Sequence, residues 1–132
     1  MRTSIRVMVA LRMWGLPADL AGQQPLFSRT ILQQAPISAP GREVVTALAE
    51  FLPGGAVDAH THPGEEVGYV LEGSVVLERR GQPPMTLSAG QAFLIPAGTV
   101  HGARNAGSGN ARLLVNYIVE TGQPLLTPAA AR

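Results

Sequence analysis

Glycine and proline interrupt this chain so often that a long helix has almost nowhere to form. Fifteen glycines and eleven prolines are spread over 132 residues, well above the ~12% average for the two together. From Val44 onward they mark turns: Pro53-Gly54-Gly55, Glu72-Gly73, Gly81-Gln82-Pro83-Pro84, Ala89-Gly90, Pro96-Ala97-Gly98 and the polar run Asn105–Asn110. Between the turns lie short apolar runs, Val44–Phe51, Val67–Leu71, Ser74–Glu78, Met85–Leu87, Gln91–Ile95, Thr99–Ala103 and Leu113–Val119. Short strands with a turn signal every ~8–12 residues predict an antiparallel sandwich or barrel. Gly41–Leu52, with Glu43, Ala47 and Leu48, could be a helix by propensity alone, but its Val44-Val45-Thr46 centre argues for a strand. Glu72-Gly73 predicts a tight hairpin. Upstream, residues 23–40 are rich in Gln, Pro and Ser, and Ser28–Leu32 reads as an edge strand.

Length allows one hydrophobic core and no second. The chain therefore divides into a leader and arm at 1–36, the main domain at 37–124 and a tail at 125–132. Arg2, Arg6 and Arg12 precede the first acid, Asp19, so the net charge of +1 belongs to the leader. That balance disfavours nucleic-acid binding, and no apolar run approaches the ~20 residues of a membrane span. The basic start, the apolar Val7–Leu11 and the small Ala18 and Ala21 resemble a signal peptide over residues 1–21, although Arg12 and Asp19 interrupt the pattern. Export or a periplasmic location follows if that leader functions, and a cytoplasmic one if it is simply an arm. With no cysteine, disulfides, thiolate metal sites, iron–sulfur clusters and a cysteine nucleophile are excluded.

Chemistry must then rest on other groups, and the histidines are the informative ones. The chain has three, His60, His62 and His101. His60 and His62 share one face of a strand, and Glu66 follows across Pro63-Gly64, a turn that would bring the next strand back alongside. Imidazole and carboxylate suit Mn, Fe, Co, Ni, Cu or Zn. Each signal alone is weak: an isolated HxH pair is more often accidental, and a lone glutamate is usually a solvated acid.

The surrounding frame raises their weight. Gly54, His60, His62, Glu66 and Gly73 fit G(X)5HXH(X)3-4E(X)6G, and Gly90, Pro96, Gly98, His101 and Asn105 fit G(X)5PXG(X)2H(X)3N. On these ten positions the chain resembles the cupin superfamily, and HTHPGEEVGYVLEG is similar to small single-domain bacterial members. The resemblance covers roughly residues 40–120. It implies an all-β fold, a single cupin β-barrel or jelly-roll-like antiparallel sandwich. It also implies one divalent transition metal held by His60, His62, Glu66 and His101. Gly54, Gly73, Gly90 and Gly98 would supply turn conformations, Pro96 a preset φ, and Asn105 a structural hydrogen bond to a loop. Glu66 is preferred to its neighbour Glu65 by spacing and strand parity.

Four such donors leave two of six octahedral positions open, which suits ligand binding better than pure stapling. The expected function is a metal-dependent oxygenase, or an isomerase or lyase, acting on a small organic molecule through its oxygens. The alternative is a non-catalytic cupin that binds or senses a small ligand. No catalytic side chain is assigned. Asp58 shares parity with the histidines and could line the cavity mouth. Arg104 and Gln91 could meet an anionic or carbonyl ligand, although surface placement is the plainer reading. Tyr69, Phe93 and Tyr117 read as packing residues, and Gly68 and Val70, on the parity of Glu66, predict narrow apolar walls. For Leu113–Val119 either the Asn116 face or its opposite could be interior. The family resemblance also implies a homodimer, with Ser28–Leu32 as the candidate crossing strand.

Overall fold

Two ten-residue strands carry the core because their side chains alternate. In a computed structural model, which describes residues 24–130, Arg42–Phe51 (β2) and Ala111–Glu120 (β9) pair antiparallel from Arg42↔Glu120 to Phe51↔Ala111. Val45, Ala47, Ala49 and Phe51 point to the same side as Leu113, Val115, Tyr117 and Val119, and all eight are buried. The Asn116 face is therefore the outer one. There Thr46 Oγ1 donates to Asn116 Oδ1 at 2.7 Å. The helical alternative for Gly41–Leu52 is not realised, because a helix would scatter this alternating apolar set around its circumference.

Phe27–Pro36 (β1) pairs with β2, Gly64–Glu72 (β4) with the far side of β9, and Ala92–Ile95 (β7) with β4. The first sheet thus runs β1-β2-β9-β4-β7. The second runs β10-β3-β8-β5-β6, with Ala56–Thr61 (β3), Ser74–Arg79 (β5), Met85–Ser88 (β6), His101–Asn105 (β8) and Thr127–Pro128 (β10). All pairings are antiparallel. Among the described residues the result is a jelly-roll-like sandwich of two open sheets, not a closed barrel, and no helix occurs. Val70, Val75, Leu77 and Leu87 join the eight residues of β2 and β9 in the shared core.

The expected hairpin at Glu72-Gly73 is a corner instead: β4 and β5 lie in different sheets. Gly73 has φ +71°, and a Cβ there would come within 2.3 Å of the Asn110 carbonyl oxygen. A hairpin turn and a sheet-to-sheet corner both ask for glycine, so sequence alone does not separate them. The same correction applies at Pro63-Gly64, where β3 hands over to the opposite sheet rather than to a neighbour. The other three motif glycines, Gly54, Gly90 and Gly98, also have positive φ.

The expected edge strand Ser28–Leu32 forms part of β1, paired with this chain's own β2. Beyond residue 124, β10 pairs with β3 through Thr127↔Thr61 and Pro128↔His60. The signal-peptide resemblance over 1–21 lies outside the described residues. No helix of the described residues is long and apolar enough to cross a membrane.

Candidate metal centre

His60 is the last residue but one of β3, His62 and Pro63 make the corner, Glu66 follows on β4, and His101 opens β8. Both sheets therefore contribute, His60 and His101 from the second and the carboxylate from the first, with His62 on the corner between them. His60 and His101 are cross-strand partners. Glu66 faces inward from β4, directly opposite Tyr117 on β9, while Glu65 faces the other way, beside Ile118. One donor atom from each of His60, His62, Glu66 and His101 lies within 4.8 Å of all the others. All four residues are between 3 and 8% exposed.

Each imidazole is pinned at its far nitrogen. His60 Nδ1 donates to the Asp58 carbonyl at 2.7 Å, His62 Nδ1 to the Leu125 carbonyl at 2.7 Å, and His101 Nδ1 to the Thr99 carbonyl at 2.8 Å. With the proton held on Nδ1, a neutral ring turns its Nε2 lone pair inward. The inward contacts are short: His60 Nε2 to His62 Nε2 at 3.1 Å, His62 Nε2 to Glu66 Oε2 at 3.0 Å and His101 Nε2 to Glu66 Oε2 at 2.8 Å. Two imidazole lone pairs facing each other at 3.1 Å repel unless a proton or a cation lies between them. Donors ~2.1 Å from one cation and at right angles to each other would be roughly 3 Å apart, which matches these contacts. The residues present fit a divalent transition metal, and the outward carbonyls fix ring orientation as such sites require.

Electrostatics agree. Burial pushes the His60 pKa down, only partly offset by the Asp58 carbonyl, and with His101 and His62 nearby it falls to about 4. Its ring is neutral at pH 7. Burial pushes Glu66 upward, but its close contacts with His101 and His62 outweigh it and hold the carboxyl at about 2. A neutral His60 ring and an ionised Glu66 carboxylate are the protonation states a cation needs.

Beside the donors is a cavity of about 30 Å³, room for little more than a water or two. Its walls are mostly apolar, from residues such as Phe51, Leu77, Phe93 and Val115, and Gly68 and Val70 are not among them. Phe93 reaches into the interior over Gly68, where a Cβ would come within 2.1 Å of its ring. Two polar side chains absent from the sequence-derived site residues also line it, Arg29 and Tyr117. Tyr117 is 1% exposed, and its ring lies 4.6 Å from that of His62. Its hydroxyl accepts a hydrogen bond from Arg29 Nε at 3.0 Å. Burial, and next the Glu66 charge, raise its pKa to about 12, so it stays protonated. These two residues are 88 positions apart, and nothing in the sequence pairs them. The one available signal was Asn116, whose polarity marks the other face of β9 as interior.

The remaining candidates lie elsewhere. The pairing of β3 with β8 shifts register between Val57 and His60, so Val57 lines the cavity and Asp58 turns out to solvent. Only the Asp58 backbone serves the site. A bulge breaks the two-residue alternation on which the parity argument rested. Arg104 is exposed and pairs with Glu78 at 3.1 Å. Gln91 Oε1 accepts from the Ser88 amide at 2.7 Å within its own turn. Tyr69 is exposed on the outer face. Asn105 has the structural role expected of it: Nδ2 donates to the carbonyls of Phe51, Leu52 and Gly109, and Oδ1 accepts from the Gly107 amide.

Comparison with known proteins gives a consistent picture. A family model described as a cupin domain matches residues 47–117, more than half of the chain. A putative germin-like protein 3-4 of Oryza sativa subsp. japonica is 31% identical over 127 aligned residues, covering 76% of this chain and 56% of its own length. The chain spans between 33 and 56% of the length of the curated relatives compared most directly. Among solved structures, the polyketide cyclase RemF of Streptomyces resistomycificus aligns with a TM-score of 0.63 and 28% identity, over 81% of this chain and 73% of that one. A protein of Klebsiella pneumoniae subsp. pneumoniae with a double-stranded β-helix domain aligns with a TM-score of 0.66 over 91% of this chain and all of that one. At 19% identity the second supports the fold alone.

Proposed function

The chain belongs to the cupin family, and from that premise we propose a metal-dependent enzyme of the oxygenase type acting on a small organic molecule through its oxygen atoms. His60, His62, Glu66 and His101 would hold one divalent transition metal, Mn, Fe, Ni, Co, Cu or Zn. The observation that carries this reading is the convergence of three Nε2 atoms and a carboxylate oxygen, with each Nδ1 tied to a backbone carbonyl. Such an ion, with positions left open, supplies Lewis acidity and, where redox-active, electron transfer.

The residues set what else is feasible. Apolar walls exclude bulk water and strengthen electrostatic contacts inside. Tyr117 O–H can donate to a ligand oxygen, and Arg29 can neutralise negative charge at the edge of the cavity. Neither is a base near neutral pH. Isomerase or lyase chemistry by proton abstraction, which needs a positioned base, is therefore less well supplied than oxygenase chemistry. The same scarcity favours the second reading, a cupin that binds or senses a small ligand without transforming it. The germin-like and cyclase relatives do not choose between these, since one fold hosts many reactions.

Elemental analysis of protein purified from its host, followed by anaerobic reconstitution and oxygen-uptake screening with phenols and diketones, tests the proposal. Retained metal with oxygen consumption is the expected result. Metal without turnover of any phenol, diketone or hydroxy-ketone selects the binding reading, and loss of metal binding on Ala replacement of no pair of histidines would sink both. A homodimer and, if the leader functions, export belong to this reading too. A stable monomer in sedimentation contradicts the former.

A further inference from the structure

The two outward sides of the sandwich differ in character. The second sheet carries exposed polar groups there, among them Asp58, Glu78, Thr86, Ser88 and Arg104. The first sheet carries apolar ones: Val44 and Leu48 from β2, Leu114 and Ile118 from β9, Val67 and Tyr69 from β4, and Leu94 from β7. Tyr69 is 45% and Leu94 56% exposed, and the others are half-buried. An antiparallel sheet with one face on the core ordinarily turns a polar face to water, and a broad apolar patch marks an interaction surface. From Arg42 to Glu50 this face is about 27 Å long, and five strands make it about 24 Å wide. That is roughly 600 Å² in plan, before side-chain relief adds to it, against about 800 Å² from each partner in a standard interface.

The charges that bound the patch say what covers it. Outward residues of β2 read Arg42, Val44, Thr46, Leu48, Glu50, and those of β9 read Arg112, Leu114, Asn116, Ile118, Glu120. Both strands thus present arginine, apolar, polar, apolar, glutamate, and they run antiparallel. Each arginine lies beside the glutamate of the other strand, Arg42–Glu120 at 3.9 Å and Arg112–Glu50 at 3.3 Å. At the shared centre Thr46 Oγ1 donates to Asn116 Oδ1 at 2.7 Å and accepts from Gln33 Nε2 at 2.9 Å. The hydroxyl is satisfied within the face, so covering it carries little desolvation cost.

A pattern that reads the same from both ends matches itself. Locating the homodimer of the reading above, we infer that a second copy of this chain packs the same face of its first sheet onto this one. The two-fold axis lies in the plane of contact, over Thr46 and Asn116, at right angles to the strands. Each strand then runs antiparallel over its own copy, within the roughly 30° of aligned sheet packing. Arg42 faces Glu50 of the second copy and Arg112 faces Glu120, while Val44 faces Leu48 and Leu114 faces Ile118. On β4 the axis passes over Val67, the cross-strand partner of both Asn116 and Leu94. Leu94, the most exposed of the apolar set, therefore covers its own copy, and Tyr69 comes over Glu65. The result is an isologous interface with an apolar centre and a rim of opposite charges. An axis along the strands would also oppose the charges, pairing Glu50 with Arg112, but it leaves β7 uncovered.

Sedimentation of the full chain over a range of concentrations tests this. The wild type should be a dimer. Leu114→Asp and Leu94→Asp should each give monomers, whereas Thr86→Asp, on the outward side of the second sheet, should sediment as the wild type does. Glu50→Arg/Arg112→Glu keeps the pair within the chain but sets like charges against Arg42 and Glu120 of the second copy, and should weaken the dimer tenfold or more. Adding Arg42→Glu/Glu120→Arg reverses every charge and should restore most of the affinity, which a merely misfolded variant would not do. A wild-type dimer left intact by both aspartate variants overturns the placement and leaves the homodimer of the earlier reading standing on another surface. Dissociation by the aspartates with no effect of the charge reversal overturns the stated axis. A wild-type monomer at every concentration, its face then covered by residues 1–23 or by another protein, overturns both the placement and the homodimer.

Discussion

Three imidazoles and a carboxylate are buried together, and for two of them, His60 and Glu66, the fold moves the titration well away from its ordinary range. The pKa of His60 lies near 4 against its ordinary 6.5, chiefly because burial penalises the imidazolium. That of Glu66 lies near 2 against 4.5, because its close contacts with His101 and His62 overcome the opposing effect of burial. Both are depressed in the folded chain, so the unfolded chain binds more protons and stability falls with acid. The metal-free protein should have a flat melting temperature from pH 8 to about 6.5. It should then lose stability through the His60 window between about 6.5 and 4 and the Glu66 window between about 4.5 and 2. Each group contributes at most about 1.4 kcal/mol per pH unit. Thermal melts of chelator-treated protein across this range check the sign. A melting temperature that rises between pH 6.5 and 4 would contradict the buried neutral His60. His60→Gln, which removes a titrating ring, should flatten the first window and leave the second.

At the scale of elements, the shortest strand bears on the site from farthest away. β10 is only two residues long, yet it is tied to β3 beside His60, and just before it the Leu125 carbonyl receives the His62 Nδ1 proton. Arg80 holds the same segment by donating from Nη2 to the Ala130 carbonyl at 2.8 Å. A chain ending at Gln123 should fold, because the core residues of both sheets precede that point, but its His62 ring loses the partner that sets its tautomer. Loss of such a partner commonly costs ten- to a hundredfold in metal affinity. Competition with a chromophoric chelator measures this, and an unchanged affinity would show that Leu125 does not orient the ring. Sequence could not reveal this contact, because a backbone carbonyl carries no residue-type signal. The donors themselves were legible for the opposite reason: His60, His62, Glu66 and His101 are chemically distinctive and spaced by turns that glycine and proline announce. Along β9 the alternation was legible but its orientation was left open, and the structure puts the Asn116 face outward. Where a bulge intervened before His60, Asp58 was placed on the wrong face, and at Gly73 a corner was indistinguishable from a hairpin.

For the whole molecule, the donor set matters because it bridges two layers that otherwise meet mainly through apolar packing. Glu66 belongs to the β1-β2-β9-β4-β7 sheet, while His60 and His101 belong to the β10-β3-β8-β5-β6 sheet. An ion held by all four would tie the sheets together at the end where β3 gives way to β4. Binding confined to the folded state stabilises it by about 2.7 kcal/mol at a free metal concentration a hundred times the dissociation constant. In a domain of this size that corresponds to several degrees in melting temperature for each kcal/mol. Titrating metal into chelator-treated protein should therefore raise the melting temperature progressively by roughly ten degrees or more, and chelator should reverse it. Glu66→Gln separates bridging from mere occupancy. It keeps the side chain's size and one acceptor oxygen but removes the anionic link from the first sheet, so the metal-induced rise should shrink by more than half. A Glu66→Gln protein that gains as many degrees as the wild type would mean that the histidines hold the ion alone, and that the two layers are joined by their apolar core without its help.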